Sequence, residues 1–219
     1  MKSTNYFFAM VVLAWSLLPA IAYADLQEDV ERAASIIERF EEIPETAIPP
    51  RVLRDAKGVA ILTLTKAGFI VSGRGGTGVV VARTEKGWSG PLAIGSGGIG
   101  VGFQAGVQVS EYVIILNTQE AVNAFSKGGN VTLGGNLSAA IGPIGRSAEA
   151  GVAPQAAIYT YSRNQGIFAG VSLEGTVIAT RYEANEQYYG KPVFPADILS
   201  GQVKPPEDAQ KLLQLLAKY

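Results

Sequence analysis

The chain has 219 residues with 18 basic and 19 acidic side chains, a formal net charge of −1, and neither histidine nor cysteine. A near-neutral balance excludes a generic nucleic-acid binder, which carries a basic excess. The missing histidine and cysteine exclude a Ser-His-Asp triad, a zinc site, disulfides and a lipid attached through an N-terminal cysteine, so no cofactor, metal or catalytic residue is expected.

In chain order, Lys2 precedes an apolar run from Tyr6 to Leu18, broken by Pro19 and followed by Ala22-Tyr23-Ala24. A basic start, an apolar stretch and small residues at alternate positions predict a cleavable signal peptide over residues 1–24. The run is shorter than the ~20 residues of a membrane-spanning helix, which argues against the rival reading of an uncleaved anchor. The expected mature chain is therefore an exported domain over residues 25–219, periplasmic or secreted. Losing Lys2 leaves 17 basic against 19 acidic groups.

Leu26, Val30, Ala33, Ala34, Ile37 and Phe40 recur at helical spacing and predict an amphipathic helix from Asp25 to Glu42. Pro49 and Pro50 open a short helix through Val52, Leu53 and Ala56, with Gly58 placed to end it. Of the 26 glycines, 24 then fall between Gly58 and Gly175, in a region that reads as strands. Strand candidates are Val59 to Thr65, Thr77 to Arg83, the alternating run from Ile99 to Val109, Tyr112 to Leu116, a second alternating run from Val131 to Ile141, Ala156 to Tyr161, and Val171 to Ala179. Alternation predicts one buried face per strand. One internal helix interrupts them, with Thr118 as N-cap, Ala121, Val122, Ala124 and Phe125 facing inward, and Gly128 as its stop. After Pro205 and Pro206, a tail helix places Ala209, Leu212, Leu213 and Leu216 on one stripe, expected to pack against the sheet. The predicted fold class is α+β: a strongly curved antiparallel sheet or barrel rich in glycine, flanked by N-terminal, internal and C-terminal helices.

Gly73 to Gly78 and Gly95 to Gly100 both fit G-x-G-x-x-G. A dinucleotide site needs that loop to open a helix, whereas both lead into strand-like runs, so nucleotide binding is set aside. Glu111, Glu149 and Glu174 are the candidates for an acid/base pair, equally well read as solvated or ion-paired carboxylates. The sequons at Asn130 and Asn136 lie within one alternating strand and read as incidental. Arg51, Arg54 and Lys57 follow at three-residue intervals, as on one helix face, and Lys66 and Arg74 flank the apolar stretch Ala67 to Val71. Cations beside apolar side chains can hold lipid phosphates while the apolar groups touch the acyl boundary. The alternative is a solvated charged surface.

Longer blocks carry more information. Lys57 to Leu62, Lys66-Ala67-Gly68-Phe69 and Gly73 to Gly78 are followed by Trp88, Pro91, Ala93-Ile94-Gly95, Gly102-Phe103 and Val113 to Asn117. Gly128-Gly129-Asn130, Leu133 to Leu137, Gly142 to Arg146, Tyr161-Ser162 and Gly166 to Gly175 complete the series. These blocks resemble a SYLF domain, in the family's order and over nearly the whole expected mature chain.

The resemblance implies a lipid-binding module. Eukaryotic members are associated with phosphoinositide membranes and, in yeast, with actin filaments; the export signal looks like the stand-alone bacterial members. Membrane binding in eukaryotic members is attributed partly to a basic N-terminal helix, whereas the helix here carries Asp25, Glu28, Asp29, Glu31, Glu38, Glu41 and Glu42 against Arg32 and Arg39. Headgroup contact is therefore assigned to the cations within the family motifs, Lys57, Lys66, Arg74 and Arg146, with Phe69 and Ile70 as apolar membrane contacts. The expected function is non-enzymatic phospholipid binding, with an anionic phospholipid or membrane surface as partner. The alternative is an envelope structural or protein-interaction module without a lipid ligand. Nucleic acid is not expected as a partner, nor is actin, which an exported protein would not meet.

Overall fold

The computed structural model describes residues 25–42, 47–133, 138–141, 156–166 and 176–219. Helix α1 (Leu26–Glu41) starts where the spacing placed it, with the Asp25 carboxylate accepting from the Gln27 amide at 3.4 Å. Helix α2 (Pro50–Asp55) uses Pro50 in its first turn, where a missing N–H costs nothing. It ends at Ala56, so Lys57 lies beyond it, and Gly58 opens a strand instead of capping the helix.

Two long strands dominate: β1 (Gly58–Thr84) and β3 (Leu92–Leu116), joined through the short β2 (Gly87–Trp88). They run antiparallel along most of their length, from the Gly58–Leu116 pair to the Val80–Leu92 pair. The separate candidates at Val59–Thr65 and Thr77–Arg83 are thus two halves of one strand, as are those at Ile99–Val109 and Tyr112–Leu116.

This ribbon folds back on itself. The Arg83 amide donates to the Lys57 carbonyl at 2.8 Å, which puts the two ends of β1 side by side. A Cβ on Gly76 would overlap the Thr63 carbonyl oxygen, and one on Gly78 that of Ile61. These contacts centre the reversal on Phe69 and Ile70. There the ladder shifts register: Gly68 pairs Gly106, and Ile70 pairs Gly102. One residue of β1 therefore faces three of β3, as a strand on the outside of a bend requires.

The remaining strands extend both flanks into a curled half-barrel. On one side β6 (Ile158–Gly166) joins the second half of β3, and β5 (Ala139–Ile141) joins β6 in parallel. On the other, β7 (Val177–Thr180) joins the first half of β3, and β4 (Asn130–Thr132) joins β7. The alternating run from Val131 to Ile141 is accordingly not one strand; its two ends lie on opposite flanks. The Val171–Ala179 candidate survives from Val177 onward, its earlier part lying outside the described residues.

Both faces of the sheet are covered at the ribbon's base. Val59, Ile61, Val79, Val81, Val113 and Ile115 face α1 and the tail helix α6 (Gln210–Leu216). Ala60, Leu62, Val80, Leu92, Ile114 and Leu116 face α3 (Gln119–Ser126) and α5 (Pro195–Leu199). Two-sided burial explains why the base segments are continuous apolar runs, and each buried Val, Leu or Ile contributes about 1.5–3 kcal/mol. Helix α3 follows the sequence closely: Thr118 Oγ1 accepts from the Ala121 amide at 3.1 Å, and Gly128 takes φ 66°. The tail helix shares this core with the sheet, its closest backbone approach being to α1. Two helices escaped the sequence reading: α4 (Tyr182–Tyr189) and α5. Helix α4 buries Ala184 and Asn185 and has no apolar stripe; its one local signal is Gly190 at φ 67° as a stop.

Candidate functional site

Beyond the base, the ribbon projects as a tip. Among the described residues, no apolar side chain of β1 between Leu64 and Val79, nor of β3 between Ile94 and Tyr112, belongs to the core. Lys66 and Arg74 flank the reversal, both half-buried, and the fold-back spacing sets them opposite each other. Phe69 and Ile70 lie on β1 at the reversal; their side chains are outside the described part. Lys57 is exposed at the other end of β1, beside the sheet's base. The tip thus gathers Lys66, Arg74, Phe69 and Ile70 in one region and leaves Lys57 out. Arg146 lies outside the described residues. Arg51 pairs with Asp55 at 3.5 Å on an exposed face.

The tip also corrects the predicted burial of the β3 alternating run. Val107, expected to face inward, is 64% exposed, while Gln108, expected outward, is 1% exposed. Side chains at Gln108 and Ser110 share the face of Tyr112, which turns into the half-barrel. Val107 points the other way, past the region that α1 covers. The alternation is real, but the helices do not reach far enough to bury its apolar side.

On the inward face, Arg74 reaches across its ladder partner Gly98, where a Cβ would lie 2.9 Å from Arg74 Nε. Among the described residues no carboxylate pairs with it. The Tyr112 hydroxyl is wholly buried and its pKa lies above the usual tyrosine value, because burial outweighs the opposing influence of Ser110 and the Arg74 charge.

Of the three acid/base candidates, Glu111 is engaged in an ion pair. Glu111 holds Arg39 of α1 by two contacts, 2.5 Å to Nη2 and 3.3 Å to Nε. The Arg163 guanidinium donates to the Arg39 carbonyl and lies 6.0 Å from the Phe40 ring centroid. Glu149 and Glu174 lie outside the described residues. Asp29, which the sequence presents only as one of the acidic residues of α1, sits fully buried on the inner face of that helix. It accepts from Thr77 Oγ1 at 2.6 Å, Arg181 Nη1 at 2.8 Å and Arg32 Nη1 at 2.9 Å. Its signal was present: Asp29 falls three residues after Leu26 and four before Ala33, on the apolar stripe itself. Burial is the largest influence on this carboxyl and raises its pKa, against the pull of its three partners.

Both G-x-G-x-x-G segments run within strands, Gly73–Gly78 in β1 and Gly95–Gly100 in β3, so neither opens a helix. Among the described residues no group of carboxylates is placed to hold a metal ion, and no helix is long and apolar enough to cross a membrane.

A family model described as "Ysc84: Las17-binding protein actin regulator" matches residues 97–219. SH3 domain-containing YSC84-like protein 1 of Homo sapiens is 47% identical over 204 residues, covering 90% of this chain and 60% of that protein. The Xenopus laevis protein of the same name is 45% identical over 205 residues, covering 90% and 61%. LAS seventeen-binding protein 3 of Saccharomyces cerevisiae is 45% identical over 201 residues, covering 87% of this chain and 44% of that protein. The chain therefore spans at most about three-fifths of these relatives. The expectation that sets actin aside gains no support from a family so described. With the family model over more than half its length and relatives at this identity, the chain belongs to the Ysc84, or SYLF, family.

Proposed function

We propose that this chain is a non-enzymatic, exported SYLF module that associates with anionic membrane surfaces through the tip of its folded ribbon. The observation that supports this reading is the placement of Lys66 and Arg74 on either side of a reversal at Phe69–Ile70, with Val107 64% exposed on the opposite face of the ribbon. Cations flanking a segment of apolar sequence suit the boundary between lipid phosphates and acyl chains. Export is supported by the apolar run from Tyr6 to Leu18 and the small residues before Asp25.

The experiment is co-sedimentation of residues 25–219 with phosphatidylcholine vesicles containing anionic lipid. Lys66→Glu with Arg74→Glu should abolish binding, and Val107→Asp should weaken it. Lys57→Glu, at the other end of the strand, should change it little. Binding should fall as salt is raised, because exposed charges are screened within about 10 Å at 0.1 M. Equal binding by the wild type and the Lys66/Arg74 variant would remove this assignment.

A second reading, a protein-docking module, is favoured by the family's description as a Las17-binding actin regulator. Co-sedimentation with actin filaments and pull-down from an envelope extract are its readouts, run on the same variants.

A further inference from the structure

Among the described residues, three groups on the inward face of the ribbon lack a full set of partners. The hydroxyls of Tyr112 and Thr176 are each 0% exposed and meet no hydrogen-bonding partner. The Ser110 side chain interacts with the Tyr112 hydroxyl and lowers its pKa, yet completes no well-formed hydrogen bond with it. Arg74, half-buried, has no carboxylate against it among the described residues. Buried polar groups are nearly always satisfied, and a native exception calls for a missing water or ion. A partly desolvated cation without an anion is a second, independent imbalance of opposite chemistry.

The ladder places these groups on one face. Arg74 pairs Gly98 and lies over it, so no side chain of β3 separates it from the next strand. Thr176 stands two residues before Ile178, which pairs Ser96, so it continues that register toward Gly98. Tyr112 approaches from the other side of the fold-back, from its pairing with Leu62, and the Arg74 charge reaches its ring. Gly98 leaves room for the Arg74 side chain, while Gly76 and Gly78 let the backbone of Thr63–Leu64 and Ile61–Leu62 pack against the ribbon.

We infer that Arg74, Tyr112 and Thr176 form an oxyanion subsite inside the ribbon's tip that takes a phosphate group. The inference rests on the membrane reading above and names the group that the tip recognises. A guanidinium and two hydroxyls are all donors, which suits phosphate oxygens and repels a cation. The Arg74 side chain lies over Gly98 and forms that wall of the site. The phosphate can be that of a lipid headgroup or a free ion; the recognising chemistry is shared.

The test uses Tyr112→Phe and Thr176→Val, singly and together, which remove the hydroxyls and keep the packing. Two probes are titrated: inorganic phosphate, by calorimetry, and phosphatidylcholine vesicles containing phosphatidic acid. Each lost hydroxyl should weaken binding about tenfold. Loss with inorganic phosphate supports a free-ion source, loss with vesicles alone a lipid source, and either supports the subsite. Without phosphate, both variants should melt at or above the wild-type temperature, because an orphaned hydroxyl has been removed. Wild-type affinity in the double variant for both probes overturns the subsite, even where Lys66→Glu with Arg74→Glu still loses vesicles and the membrane reading stands. A lowered melting temperature without phosphate also overturns it, since the hydroxyls would then be satisfied by structural water. A wild type that binds neither probe ends both.

Discussion

The Thr77 hydroxyl of β1 donates to the Asp29 carboxylate of α1 across 2.6 Å, in the interior between helix and sheet. Arg181, just before α4, completes the link at 2.8 Å with 14% of its side chain exposed. One acidic residue thus ties three segments that are far apart in sequence. Asp29→Ala should destabilise the fold by about 3–5 kcal/mol, because it strands a buried arginine. Thr77→Val removes one hydrogen bond to a charged group and should cost about 1.5–3 kcal/mol. Urea unfolding with an unchanged slope checks both.

The same carboxyl makes a prediction about pH. Its folded pKa lies above 3.8, with burial as the largest cause. Between the unfolded and folded values the native chain keeps a proton that the unfolded chain has released. The Asp29 contribution to stability is therefore full below the unfolded value and declines as pH rises through the folded one. The stability of wild type relative to Asp29→Asn should fall from acid pH toward neutrality and then level off. A difference that grows with pH would mean that the ion pairs outweigh burial.

Glycines of the ribbon should not be equivalent. Gly76→Ala drives a methyl into the Thr63 carbonyl and the Leu64 backbone, neither of which can rotate away. A loss of several kcal/mol, or failure to fold, is expected. Among the described residues nothing lies within 4 Å of the same position at Gly73, so Gly73→Ala should shift stability by less than about 1 kcal/mol. Melting temperatures of the two variants, measured together, test the fold-back of β1.

The proposed export predicts a defined product. Expressed with its leader in a cell that processes signal peptides, the chain should be recovered outside the cytosol beginning at Asp25. N-terminal sequencing and intact mass check this, and a cytosolic chain that retains Lys2 would refute it.

Most helices were legible locally. The stripe from Leu26 to Phe40, the Thr118 cap and the leucines of the tail each act within a few residues. Helix α4 was not, because its buried face is Ala184 and Asn185 and its position is set by Arg181 and Asn185 bonding to β3: the Arg181 amide donates to the Ala93 carbonyl at 3.0 Å, and the Ala93 amide to Asn185 Oδ1 at 2.8 Å. Of the candidate site, Lys66, Arg74, Phe69 and Ile70 were visible as a pattern. Tyr112 and Thr176 were not, since a buried hydroxyl is recognisable only once its surroundings are known.

The sequence by itself determined the α+β class, the capped helices, the glycine-rich strands and the family, because these follow from residue type, local periodicity and motif order. Only the tertiary structure decided that two pairs of strands are two long ones, that the ribbon doubles back at Ile70, and that Val107 is exposed while Gln108 is buried. The physical reason is that alternation specifies two faces and not which of them is covered. That choice depends on how far α1 and α3 extend over the sheet, and they stop short of the tip.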